Sequence, residues 1–128
     1  MSKVFVINEP QPRSFTGWTP DIRTAETFGT IHYIFNKEDR PHRLPQGEVD
    51  ERVISALLKF DPNEDHILWV GGDIIAFIIV VAYLTSNFTE FSLLQWQRNR
   101  TTEAGDTGHY APLLVDLSYI CEGPCHEA

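Results

Sequence analysis

At 128 residues and 14.6 kDa the chain has the length of one domain, enough to bury a core without disulfide or metal staples. Eighteen acidic residues against ten basic ones give a formal net charge of -8, which opposes general phosphate-backbone binding, because such binding relies on Lys and Arg displacing counterions. With 42% hydrophobic residues and a mean hydropathy of -0.21, the composition is that of an ordinary globular protein whose acidic surface can attract basic proteins.

The opening MSKVFVINEPQ lacks the apolar core and small-residue cleavage site of a signal peptide, so a cytoplasmic location is expected. Lys3 to Asn8 (KVFVIN) is an apolar run closed by Glu9 and Pro10, as suits a buried first strand. Gln11 to Pro20 is rich in Pro, Gly, Ser and Thr and reads as a loop, in which Phe15 and Trp18 either pin it to the core, the more frequent outcome, or form a contact surface. Thr24 to Phe28 predicts a helical turn ended by Gly29, and Thr30 to Asn36 a second strand. Lys37 to Gly47 is polar, holds two prolines and predicts a surface loop.

Glu48 to Phe60 places Val49, Val53, Ile54, Leu57, Leu58 and Phe60 at helical spacing, opposite Glu48, Asp50, Glu51 and Lys59. The acids fall in the first turn and the lysine in the last, as the helix dipole favours, and Asp61-Pro62 stops the helix. Asp61, Glu64 and Asp65 form an acidic patch that precedes a strand rather than following one, and solvation is the expectation for it.

The centre of the chain is HILWV, then Gly71-Gly72-Asp73, then IIAFIIVVAYLTSN, then FSLLQWQR, a strand–turn–helix–strand unit. Asp73 stands where an N-cap belongs, and the helix is expected from Ile74 to Thr85 or Ser86, with Asn87 as its stop. β-Branched residues argue for strand, but eleven apolar positions from Ile74 to Leu84 exceed a usual strand, and neighbouring parallel strands need a crossover. A helix apolar on every side requires sheet on one side and a second cover, from this chain or from a second copy in a homodimer, on the other. The apolar stretch falls short of the ~20 residues of a membrane span. After an Asn99 to Gly108 loop, Tyr110 to Leu117 is a last strand that Pro112 sends to the sheet edge, and Ser118 to Ala128 is a tail.

Strand, strand, helix, strand, helix, strand, strand is the order of an α/β protein. The expectation is a single small domain over residues 1–117 with a tail over 118–128. Its mixed sheet has about five strands, a β-α-β-α-β core and a C-terminal hairpin.

Three places bear candidate chemistry. The Gly71-Gly72-Asp73 turn resembles in outline the turns that hold phosphates at helix N-termini, making these residues a candidate ligand site. No G-x-G-x-x-G or Walker lysine accompanies it, and Asp73 sets a negative charge where a phosphate would sit, so a tight turn and a cap are the plainer interpretation. Cys121, Cys125 and His126 offer metal ligands, but C-x3-C-H lacks zinc-pair spacing and its partner half, and a frayed tail is the simpler outcome. With both cysteines so close to the end of the chain, no disulfide framework spans the fold, and no cofactor is expected. Trp96, Arg98, Arg100 and Tyr110 cluster around the last hairpin, and these residue types dominate protein-interface hot spots. Against the net charge of -8, a protein partner is favoured there over nucleic acid.

The segments KVFVINEP, TAETFGTIHYIF, FDPNEDHILWVGGD before an apolar helix, LLQWQRNR and HYAPLLVDL together resemble a group of small proteins encoded by bacteriophages and other mobile elements. The resemblance covers Lys3 to Leu117 and brings no catalytic motif. It implies a viral or mobile-element origin and action in the host cytoplasm. The expected function is a non-enzymatic protein that binds a host or phage macromolecular complex as an inhibitor or regulator. The alternatives are a small-ligand or nucleotide-binding protein using the Gly71 to Asp73 turn, and a virion or assembly component.

Overall fold

Alternation within KVFVIN divides the protein into two layers. In β1 (Lys3–Asn8), Phe5 and Ile7 face one side of the sheet and Val4 and Val6 the other, and all four are buried, as a central parallel strand requires. The computed structural model describes residues 2–10, 22–45, 47–98 and 108–118. β1 lies between β2 (Thr30–Phe35) and β3 (His66–Leu68), parallel to both. β4 (Glu90–Arg98) runs parallel to β3, and β5 (Gly108–Asp116) closes the sheet antiparallel to β4, giving the order β2-β1-β3-β4-β5. The α/β architecture expected from the sequence, with its mixed five-stranded sheet, β-α-β-α-β core and C-terminal hairpin, is the one observed.

Helix α1 (Glu48–Leu57) joins β2 to β3 and helix α2 (Ile74–Asn87) joins β3 to β4. Both cover the Phe5 and Ile7 face, burying Val53 and Leu57 from α1 and Ala76, Val80 and Leu84 from α2. The chain moves from β1 to β2 in one direction along the sheet and from β2 to β3 to β4 in the other. With one hand of crossover, the first connection belongs on the opposite face. A 3-10 turn, Arg23–Phe28, lies there, with Ala25 buried against Val4, Val6, Leu68, Leu94 and Tyr110.

Three local expectations need correction. β3 has three paired residues rather than five, because Trp69 and Val70 leave the ladder on the way to the glycine turn. α1 stops at Leu57, so Lys59 lies outside it, and Ile54 and Leu58 are exposed rather than core. Asp65 is not solvated: it is 3% exposed, and its carboxylate accepts from the backbone N–H of Lys3 at 2.9 Å and of Asp61 at 2.8 Å. It ties the start of β1 to the loop that enters β3. On α2, whose second cover the sequence leaves open between this chain and a second copy, Ile74, Ile75 and Ile78 are 49, 58 and 54% exposed. No helix among the described residues is long and apolar enough to cross a membrane.

Candidate functional site

The last hairpin holds the most organised exposed aromatic surface. Trp96 on β4 stands directly opposite Tyr110 on β5, their ring centroids 5.0 Å apart at 70°, an edge-to-face pair. Tyr110 is buried in the core under the 3-10 turn, whereas Trp96 is 42% exposed. The indole also lies over Gly108, where an added Cβ would come within 2.6 Å of Trp96 Cζ2. Gly108 is the diagonal neighbour of Trp96 across the strand pair, so the ring covers the gap left by the missing side chain. Trp96 is thus fixed from two directions on the sheet face that carries neither helix. Leu114, further along β5 with the same alternation as Tyr110, is exposed. Of the basic residues expected beside Trp96, Arg98 ends β4 with its backbone opposite Gly108, and Arg100 lies outside the described residues.

The Gly71-Gly72-Asp73 turn follows β3 at the C-terminal edge of the parallel strands. Chain direction along the sheet reverses between β1 and β3, so the turn adjoins the switch point where open α/β sheets hold ligands. Both glycines have φ of +96°, a left-handed conformation costly for other residues. A Cβ on Gly72 would meet Asn8 Nδ2 at 2.7 Å, whereas one on Gly71 would point into open space. Asp73 Oδ1 accepts from the N–H groups of Ile75 at 2.9 Å and Ala76 at 3.1 Å, so the first amides of α2 are already committed. His42 Nδ1 lies 4.0 Å from Asp73 Oδ2. The face-to-face stack of Trp69 on Phe77, with centroids 4.4 Å apart, clamps the turn from the two elements it joins. Two buried polar atoms without a hydrogen-bond partner among the described residues flank it, Asn8 Oδ1 at the end of β1 and Trp69 Nε1 just after β3.

A third arrangement escaped the sequence. His66 Nδ1 on β3 is 2.7 Å from Ser92 Oγ on β4, and the imidazole meets Phe28 edge-on at 5.6 Å. Burial pushes the His66 pKa below its ordinary value, with the neighbouring Asp65 carboxylate acting in the opposite sense. A neutral imidazole beside a hydroxyl is the start of a nucleophilic pair, but Asp65, the nearest acid in sequence, is committed to the backbone N–H groups of Lys3 and Asp61. Only strand register brings His66 and Ser92 together, and no local pattern announces it. Among the described residues no group of three or more His, Cys, Asp or Glu could hold a metal ion, and Cys121, Cys125 and His126 lie outside those residues. An open cleft of about 730 Å³, lined by Ser2 and residues 26–31, and another of about 430 Å³ along the first turns of α1 adjoin neither the glycine turn nor Trp96.

The parallel four-strand core with helices on one face and an antiparallel edge hairpin defines a small mixed-sheet α/β protein. Over residues 2–116 the chain matches the family described as phage Pam3 gp32-like protein, and it belongs to that family. No curated protein and no solved structure matches it.

Proposed function

We propose that this phage-family protein is a non-enzymatic binding protein that docks on a host or phage macromolecular complex and inhibits or regulates it. Its contact surface is the exposed face of the β4–β5 strand pair around Trp96, with Trp96 as anchor and Tyr110 as support. The observation that carries this reading is a tryptophan held by Tyr110 and Gly108 yet left 42% exposed. A pre-positioned aromatic has little conformational freedom to lose on binding, which is why such residues dominate interface energetics. In sequence, Arg98 and Arg100 set two cations beside it on an otherwise acidic chain.

Affinity capture from host cells with the natural protein and with Trp96→Ala tests this. One dominant protein retained by the natural chain and lost with Trp96→Ala, at an unchanged melting temperature, is the expected result. Equal capture by both, or repeated capture of nothing, refutes it. If instead the protein is found in purified phage particles by mass spectrometry, it is a virion or assembly component.

A second reading, small-ligand or nucleotide binding at Gly71 to Asp73, is favoured by the switch-point position and by the unpartnered Asn8 Oδ1 and Trp69 Nε1 beside it. There a nucleotide should raise the melting temperature, and Gly72→Arg should remove that rise. The capping of α2 by Asp73 weighs against an anionic ligand.

A further inference from the structure

We propose that the outer edge of β2 accepts a further strand, an extended segment of a partner protein that carries Lys or Arg at alternate positions. The backbone leaves this edge open. Thr30 N–H donates to the Ser2 carbonyl on the β1 side at 3.1 Å. Alternate residues of a strand turn the same way, so His32 and Ile34 also face β1, and the N–H and C=O groups of Ile31 and Tyr33 point outward. Among the described residues no strand pairs with that side. The other edge of the sheet, β5, lacks a donor at Pro112, whereas β2 (TIHYIF) holds no proline, lysine or acid to discourage pairing.

Side chains on this edge give the added strand its character. His32 lies 5.7 Å from Phe5, on the face that carries the helices, so Ile31 and Tyr33 belong to the face of the 3-10 turn. Residues set opposite Ile31 and Tyr33 on an added strand would point to that same face. There the cleft of about 730 Å³ borders Ile31, with Phe28 as an apolar wall and Glu26 as an acidic one. Tyr33 is 41% exposed, and burial first, then the carboxylates of Glu9 and Glu26, hold its hydroxyl above its ordinary pKa, so both acids act on this spot. Glu9 already meets Lys37 at 3.7 Å, which makes the exposed Glu26 the main anchor for an incoming cation.

Geometry and charge together select the occupant. Outward main-chain groups call for an extended segment, whose own N–H and C=O groups supply affinity while alternate side chains supply specificity. A second copy of this chain would bring another Glu26 to the same edge and another formal -8, and nucleic acid would bring phosphates. A basic segment meets both the backbone and the carboxylates.

Amide hydrogen exchange and fluorescence anisotropy on the full chain test this, with a blocked peptide of about eight residues alternating lysine and valine as the probe. Two copies of the peptide are compared with it. One has glutamate in place of lysine, and the other is N-methylated throughout, which keeps the charge but prevents strand pairing. The lysine peptide should bind and slow exchange of the Ile31 and Tyr33 amides at least tenfold. Both comparison peptides should bind at least tenfold more weakly. Glu26→Gln should weaken the lysine peptide about two- to fivefold, the size of an exposed ion pair, at an unchanged melting temperature. No binding at about one millimolar peptide, equal binding of the N-methylated copy, an unaffected Glu26→Gln, or protection that falls elsewhere would each overturn the proposal. Trp96→Ala, toward the other edge of the sheet, should bind the peptide normally, so failure here is distinguishable from failure of the hairpin reading.

Discussion

Asp65 offers the sharpest test of how the fold is held. Its two oxygens serve different donors: Oδ1 accepts from Lys3 N at 2.9 Å and Oδ2 from Asp61 N at 2.8 Å, in a site where the residue is 3% exposed. Asp65 N in turn donates to the Asp61 carbonyl at 2.8 Å, closing the loop on itself. Backbone hydrogen bonds to a buried carboxylate contribute roughly 1.5 to 3 kcal/mol each, so Asp65→Ala should cost about 3 to 6 kcal/mol. Asp65→Asn keeps one acceptor and turns an NH₂ toward the other donor, so it should cost about half as much. Against a typical stability of about 5 to 15 kcal/mol the alanine variant is severely weakened, and at ~3 to 5 °C per kcal/mol its melting temperature should fall by about 9 to 30 °C. Urea denaturation followed by far-UV circular dichroism, with the slope of the transition unchanged, measures both. A loss below about 1 kcal/mol for Asp65→Ala is what a solvated carboxylate gives. That result, or an asparagine variant worse than the alanine one, would refute the argument.

The glycine turn should separate two effects. Gly71→Ala meets open space and bears only the left-handed strain of about 1 to 2 kcal/mol, while Gly72→Ala adds a 2.7 Å collision with Asn8 Nδ2, so chemical denaturation should rank it as the more destabilised. Equal losses would mean that Asn8 swings aside at no cost. At the hairpin, a Cβ added in Gly108→Ala would lie 2.5 Å from the Gln97 carbonyl oxygen and 2.6 Å from Trp96 Cζ2, so both the strand pair and the indole must shift; the variant should lose about 1 to 3 kcal/mol and show a displaced Trp96 indole N–H resonance, and an unmoved resonance would contradict the packing described. For His66, burial lowers the folded-state pKa below the unfolded value of about 6.5. The folded state then holds fewer protons than the unfolded one in that window. Stability is complete above about pH 6.5 and is lost as pH falls from there toward the folded pKa. The stability difference between the natural chain and His66→Gln should therefore shrink on acidification from about pH 8 to about pH 5, and a constant difference would remove His66 as the cause.

Where an element's form follows from its own residues, the sequence was a sufficient guide. Alternation in KVFVIN foretells a strand buried on both faces, and the length of the Ile74 run together with Asp73 before it foretells α2 and its cap. Pro112 foretells an edge strand, since a proline has no N–H to give an inner ladder. What the sequence concealed depends on partners distant in the chain. Asp65 reads as one of three loop acids, and only the fold brings Lys3 N to it across 62 residues. The same holds for His66 and Ser92, which are set side by side by strand register, and for Asn8 beside Gly72. Ile54 and Leu58 share helical spacing with Val53 and Leu57, yet they turn outward, because helix rotation is fixed by packing and the apolar pattern of α1 is wider than the face it buries. At the hairpin, the pairing of Trp96 with Tyr110 could have been obtained by counting back from the loop. The seat on Gly108 could not, because it depends on where the indole turns.

Two of the apolar surfaces exposed among the described residues, that around Trp96 and the outer side of α2, differ in kind, and the sheet separates them. Folding requires Tyr110 in the core and Gly108 covered, which accounts for part of the Trp96 ring but not for the exposed remainder. It requires Ala76, Val80 and Leu84, but not three outward isoleucines on the same helix, where residues with better helix propensity and solubility would serve stability as well. Because α2 lies on the Phe5 and Ile7 face and Trp96 on the Val4 and Val6 face, the two surfaces point to opposite sides of the sheet, and a substitution on one should leave the other unchanged.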